Sequence, residues 1–176
     1  TQRLVETMHV AGLVNYSNGN AMQEVLGYLD GQGLPLIGVT TGSQALHSRF
    51  SRSLYNVRVG YGRKIAKTVE LLATTNQSRI AVVHRSGESD RANVEIFNQE
   101  MAKHGKSVLG TAVLERDSTN VASAVAAIRA VKPQTVVFFN NSKPFAEFIR
   151  AFRSSSQGTQ FVAISAVGPG FVKDLG

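Results

Sequence analysis

The 176-residue sequence contains no cysteine, which excludes a disulfide framework, a thiol nucleophile and a Cys-ligated zinc and leaves the redox compartment open. It is also short of acids: 12 Asp and Glu stand against 19 Lys and Arg, for a formal net charge of +7 and a pI near 10.1, with only 18% charged residues. The excess comes from missing carboxylates rather than from a Lys/Arg block. No apolar run approaches the ~20 residues of a membrane-spanning helix. The chain opens at Thr1 without methionine, a basic n-region or an apolar h-region. That reads as a targeting segment removed or as a piece of something longer. What is present is a globular composition, 43% hydrophobic with 16 Gly, long enough for one ordinary domain or two small ones.

Short apolar runs recur at Val10–Val14, Leu34–Val39, Ile80–Val83, Val108–Val113, Val136–Phe139 and Phe161–Ile164. Each is followed by a polar cluster and then by helical periodicity. Strands buried on both faces read this way, because parallel sheets carry helices on each side. The helical stripes are Ala21, Val25 and Leu29; Ile65, Val69 and Leu72; Val94, Phe97 and Met101; Val121, Val125 and Ile128; and Phe145, Phe148, Ile149 and Phe152. The starts at Ile80, Val108, Val136 and Phe161 are 28, 28 and 25 residues apart, the rhythm of βα units. The fold class expected is therefore α/β. Between Val39 and Ile80 the rhythm breaks into an irregular basic stretch, Gln44–Ser53, and an extended piece, Leu54–Val59, suited to cross between two lobes. On this reading residues 1–57 are a partial first lobe with two strands, and residues 58–176 a second lobe of four βα units.

In open α/β sheets, ligands bind beyond the carboxyl ends of the strands, where loops and helix N-termini present free N–H groups. Five polar clusters fall there: Asn15–Asn20, Gly38–Ser43, His84–Asp90, Asn140–Lys143 and Ser165–Gly168. The Thr40-Thr41-Gly42-Ser43 turn can aim hydroxyls and backbone N–H groups at one anionic group. A plain turn with a helix cap is the competing reading.

Catalytic constellations are weak. His9, His47, His84 and His104 show no metal-binding spacing and read as surface or capping residues, and no serine stands in a G-x-S-x-G elbow. Gly60-Tyr61-Gly62-Arg63-Lys64 lacks phosphate-loop spacing and reads as a helix start. Glu88 and Asp90 suit a helix N-terminus. The basic concentration Arg49, Arg52, Arg58, Arg63, Lys64 and Lys67 has no aromatic platform interleaved with it, so a solvated face or an anion-attracting cleft is preferred to nucleic-acid binding. No enzyme activity, cofactor or metal is expected.

The strand-end clusters carry a resemblance. Arg3–Tyr16 is similar to a helix and strand leading to a ligand loop. Gly33-Leu34-Pro35-Leu36-Ile37-Gly38 with Thr41-Gly42 resembles a "G-[IV]-P-L-I-[GS]" strand and ligand turn. Leu54-Tyr55-Asn56-Val57-Arg58 resembles an "F-x-x-R" crossing strand, and Arg79–His84 the first strand of a second lobe. The family is that of type I periplasmic solute-binding proteins of ABC transporters, branched-chain amino acid binding type, of which this chain resembles the middle part. The resemblance implies three-layer α/β/α parallel-sheet lobes, with part of the first lobe and most of the second present. It implies a periplasmic protein whose signal peptide is not in this chain, and which binds a small carboxylate-bearing solute between two lobes and delivers it to a membrane permease. The ligand residues it implies are Tyr16, Asn18, Gly19, Asn20, Thr40, Thr41, Gly42 and Ser43 in the first lobe, with Ser89, Asp90, Asn141, Ser142 and Ser165 in the second.

Two departures bear on the solute. Amino-acid binders of the family carry an aromatic-glycine pair where Ser89-Asp90 stand and an acid for the α-ammonium where Ser165 falls. Without that acid an ammonium lacks a partner in a closed site, so an organic or aromatic acid without an amine is an alternative to an amino acid. A ligand-sensing domain of the same fold in a receptor or regulator is the alternative function. A partial lobe is further expected to hide apolar surface by self-association.

Overall fold

The computed structural model describes residues 1–17, 19–115, 119–139, 142–154, 158–164 and 167–175. Their strands pair in parallel throughout, in one sheet of three strands and one of four. The chain divides into two compact units, Thr1–Arg63 and Lys64–Gly176.

The first unit opens with a π-helical turn at Arg3–Thr7, followed by β1 (Leu13–Val14), α1 (Gly19–Gln32), β2 (Leu36–Ile37), α2 (Gln44–Ser48) and β3 (Leu54–Tyr55). The strands lie in the order β1-β2-β3, with Leu13, Leu36 and Leu54 in one register row and Val14, Ile37 and Tyr55 in the next. Because side chains alternate across a strand, the two rows face opposite ways. The leucine row packs with Met22, Leu26, Leu29 and Leu46 of α1 and α2. The other row is exposed.

Three expectations are corrected in this unit. The inner stripe of α1 is Met22, Leu26 and Leu29, with Val25 on its flank. The stretch expected to be irregular, Gln44–Ser53, begins with a helix. The extended piece at Leu54 supplies a third paired strand where two were expected.

The second unit begins within α3 (Tyr61–Thr74) and continues through β4 (Ile80–Arg85), α4 (Glu88–Lys103), β5 (Gly110–Leu114), α5 (Ala122–Ala130), β6 (Thr135–Phe138), α6 (Lys143–Arg153), β7 (Gln160–Ala163) and α7 (Pro169–Leu175). Strand order is β5-β4-β6-β7. The chain moves one way from β4 to β5 and then doubles back to β6. Crossovers of one hand in opposite directions put their helices on opposite faces of the sheet. One face packs accordingly: Ala81, Val83, Val136 and Phe138 form a core with Val125 and Ile128 of α5, Phe145, Phe148 and Phe152 of α6, and Phe171 of α7. Val82 and Val137 on the other face are equally buried, and Phe97 of α4 meets Phe139 edge-on at 6.2 Å between ring centroids.

The central strands β4 and β6 are apolar on both faces, as parallel strands must be when helices cover each side. The edge strand β5 instead alternates, with Ala112 and Leu114 buried and Thr111 and Val113 exposed, and it lies two residues later at its start than the run from Val108 suggests. Among the described residues no helix is long and apolar enough to cross a membrane.

Candidate functional site

In the first unit the register decides which loops meet. Val14, Ile37 and Tyr55 are level with one another, so Tyr16, Thr40 and Arg58, two or three residues further along, gather at the carboxyl edge of the sheet. Their contacts join them. The Thr40 N–H donates to the Tyr16 carbonyl at 2.9 Å, and the Thr40 hydroxyl donates to the same oxygen at 3.3 Å. The Arg58 guanidinium donates to the Thr40 carbonyl. The Tyr16 hydroxyl lies 3.1 Å from that of Thr1.

The turn that follows is fixed just as tightly. Ser43 N–H donates to the Thr41 hydroxyl oxygen at 3.2 Å, and Tyr61 N–H donates to the Gly42 carbonyl at 2.8 Å. Gly42 is buried against Tyr61: a Cβ there would lie 3.2 Å from the Tyr61 nitrogen and 3.3 Å from its ring. Glycine lets these two stretches approach so closely without Tyr61 having to give way. Ser43 is the residue before α2, and its side chain makes no capping hydrogen bond.

The turn therefore presents donors. The Thr41 hydroxyl accepts from Ser43 and so keeps its own hydrogen to give, while the Thr40 hydroxyl is spent on Tyr16. Gly19 and Asn20 open α1, at the carboxyl end of β1. Asn18 lies outside the described residues.

In the second unit β4 and β6 are neighbours, and the helices that follow them leave toward opposite faces. That is where a doubly wound sheet opens a crevice at its carboxyl edge. The β4 loop brings Ser89 and Asp90 into the first turn of α4, Ser89 exposed and Asp90 only 8% exposed. Asp90 is held by Arg85, whose Nε lies 3.3 Å from its carboxylate. The β6 loop ends at Ser142, which precedes α6 without capping it, and its hydroxyl oxygen is sealed from solvent with no partner. Lys143 beside it is exposed. Asn141 and Ser165 lie outside the described residues.

His84 corrects an expectation: it is 7% exposed within β4, with Nδ1 2.8 Å from the Arg85 carbonyl, and is neither a surface nor a capping residue. A cavity of about 580 Å3 opens elsewhere, beside the edge strand β7 and lined by Phe138, Ile149, Arg153, Phe161, Phe171 and Leu175 among others. Its walls are mostly apolar, and of the strand-end clusters it meets that after β7 through Val167. Among the described residues no three His, Asp or Glu side chains converge as metal ligands.

The structure thus joins Tyr16, Thr40, Thr41, Gly42 and Ser43 in one cluster and sets Ser89, Asp90 and Ser142 at neighbouring strand ends of the other unit. Arg58, Tyr61 and Arg85 belong with them although the sequence reading assigned them no contact there. The equal three-residue offsets from Ile37 to Thr40 and from Tyr55 to Arg58 are the signal that could have found the first.

A family model described as periplasmic binding protein matches residues 1–176. Among solved structures, a substrate-binding periplasmic protein from Ralstonia solanacearum is similar at a TM-score of 0.80 and 20% identity, over 98% of this chain and 49% of its own. A possible leucine/isoleucine/valine-binding protein from Rhodopirellula baltica SH 1 is similar at 0.79 and 19%, over 99% and 49%. An ABC transporter solute-binding protein from R. palustris in complex with benzoate is similar at 0.76 and 14%, over 97% and 46%. The chain spans about half the length of these structures. No curated protein sequence matches it.

Proposed function

The chain belongs to the periplasmic binding protein family, and on that premise we propose that it is part of an extracytoplasmic solute-binding protein that takes up a small carboxylate-bearing solute and presents it to an ABC permease. The observation that carries the reading is the donor-rich turn Thr40–Ser43. It stands at the carboxyl edge of the first unit, tied to Tyr16 on one side and to Arg58 and Tyr61 on the other. A carboxylate offers only acceptors, so it is matched by a hydroxyl kept as a donor and by backbone N–H groups already fixed in place. Residues 1–57 then act as a partial first lobe, with Asn18, Gly19 and Asn20 as further solute contacts. Residues 58–176 act as the second lobe, with Ser89, Asn141, Ser142 and Ser165 as its solute contacts.

Asp90 favours an acid that lacks an amine. Its carboxylate is paired with Arg85, so recruiting it to an α-ammonium would mean competing with a cation already in place. Benzoate, which a similar solute-binding protein from R. palustris holds, is the simplest aromatic acid of this kind.

Thermal-shift and calorimetric titration of the protein with benzoate, 4-hydroxybenzoate, leucine and valine test this. A ligand at a hundred times its dissociation constant stabilises a protein by about 2.7 kcal/mol, which moves a melting point by several degrees. Stabilisation by the aromatic acids, lost in Thr41→Val, is expected. Stabilisation by leucine alone would overturn the preference for an amine-free acid, and no response to any of the four would count against carboxylate binding altogether.

A further inference from the structure

The turn that the proposed function assigns to the solute carboxylate is held from behind by a cation, and we propose that Arg58 is a positioning residue for that carboxylate, acting through the Thr40–Thr41 peptide rather than by touching the solute. This rests on the solute reading above but asks a separate question of it. Beyond the last paired residues Ile37 and Tyr55, the chain runs three residues past the end of each strand, and Thr40 and Arg58 meet there. There the guanidinium donates to the Thr40 carbonyl, while the Thr40 N–H and hydroxyl are both taken up by Tyr16. Thr40 is thus fixed through every polar group it has.

The consequence falls on the next residue. The Thr40 carbonyl and the Thr41 N–H belong to one planar peptide unit and point opposite ways in it. A cation on the carbonyl side therefore leaves the N–H directed away from itself. It also draws electron density along the amide, so that the N–H becomes a stronger donor. No described residue accepts from the Thr41 N–H, and the Thr41 hydroxyl beside it keeps its hydrogen. Arg58 thereby lends part of its charge to a neutral backbone donor. An anion gains from this more than a neutral acceptor does, so Arg58 sets selectivity for the ionised acid.

The test compares Arg58→Ala and Arg58→Lys with the unaltered protein by two readouts. The first is the Thr41 backbone amide proton shift without ligand, which reads the polarised peptide directly. The second is the dissociation constant for benzoate, set against that for neutral benzamide. Arg58→Ala is expected to move the Thr41 amide upfield and to weaken benzoate about tenfold, the size of one charge-assisted hydrogen bond, with benzamide changing much less. Arg58→Lys is expected to recover part of both. An unchanged Thr41 amide in Arg58→Ala overturns the proposal, as does equal weakening of benzoate and benzamide. If the unaltered protein binds no carboxylate, the solute reading fails, while the amide shift still decides whether Arg58 polarises the turn.

Discussion

At the scale of single residues, the segment after β3 is held by close contacts that leave no room for growth. Gly60 is buried against His47: a Cβ on it would lie 2.9 Å from the Cγ of the imidazole and 3.2 Å from two further ring atoms. The ring would have to move from its root, so Gly60→Ala is expected to cost about 1–3 kcal/mol, read as a lowered urea midpoint. The same ring carries a pH dependence. His47 Nε2 is shut off from solvent with no hydrogen-bond partner, and burial, with the Arg63 charge second, holds its pKa below the usual histidine value. The folded protein therefore prefers neutral His47, while the unfolded chain takes up its proton near pH 6.5. The neutral ring's contribution is complete above that pH and is lost as pH falls from there through the lowered folded value. Urea midpoints measured on either side of this window should fall on the acid side, and His47→Gln should flatten the drop. A midpoint that falls equally in both proteins would assign the acid sensitivity to other groups.

At the scale of elements, legibility follows burial. β4 and β6 read plainly because helices cover both their faces and each holds an unbroken apolar run, Ile80–Val83 and Val136–Phe138, and α6 reads plainly because Phe145, Phe148, Ile149 and Phe152 recur at helical spacing and are all buried. β5 slipped by two residues because Val108 and Leu109 precede an edge strand whose outer positions are exposed, so that apolar letters there carry no information on pairing. α2 escaped because one turn and a half, with Leu46 as its only buried residue, has no stripe to recognise. The site was legible as strand-end polarity, whereas its fastening was not: Arg58 reaches Thr40 through strand register, which a sequence displays only once the pairing is known. Ser142 gives this scale its prediction. A capping serine is worth about 1 kcal/mol to its helix, but Ser142 precedes α6 without such a bond, and its buried hydroxyl is unpartnered. Ser142→Ala is therefore expected to leave the melting point unchanged to within about 0.5 kcal/mol of stability, while weakening solute binding. A destabilisation of cap size would make Ser142 a structural residue.

At the scale of the whole molecule, the first unit is a parallel sheet with one covered face. Such sheets are ordinarily clothed on both sides. Here α1 and α2 cover the row of Leu13, Leu36 and Leu54, while the opposite row leaves Val14, Ile37 and Tyr55 exposed at 69%, 43% and 55%. The apolar surface that a partial lobe is expected to hide lies on this open face, since the three strands themselves pair. An in-register apolar row across three strands has the flatness that favours association in water. The 176-residue chain is accordingly expected to associate with itself as its concentration rises, with an apparent mass in light scattering above that of the 18.9 kDa chain. Ile37→Lys with Tyr55→Lys should abolish the association, because both positions lie on the open face and a charge there need not be buried. Loss of fold in that double variant, read by circular dichroism, would mean instead that the face is already covered in the monomer. A chain that stays monomeric at high concentration with the row intact would count equally against an exposed face. The remedy acts on the side of the sheet away from the α1 and α2 core, so a variant cured of association should still respond to benzoate wherever the unaltered chain does.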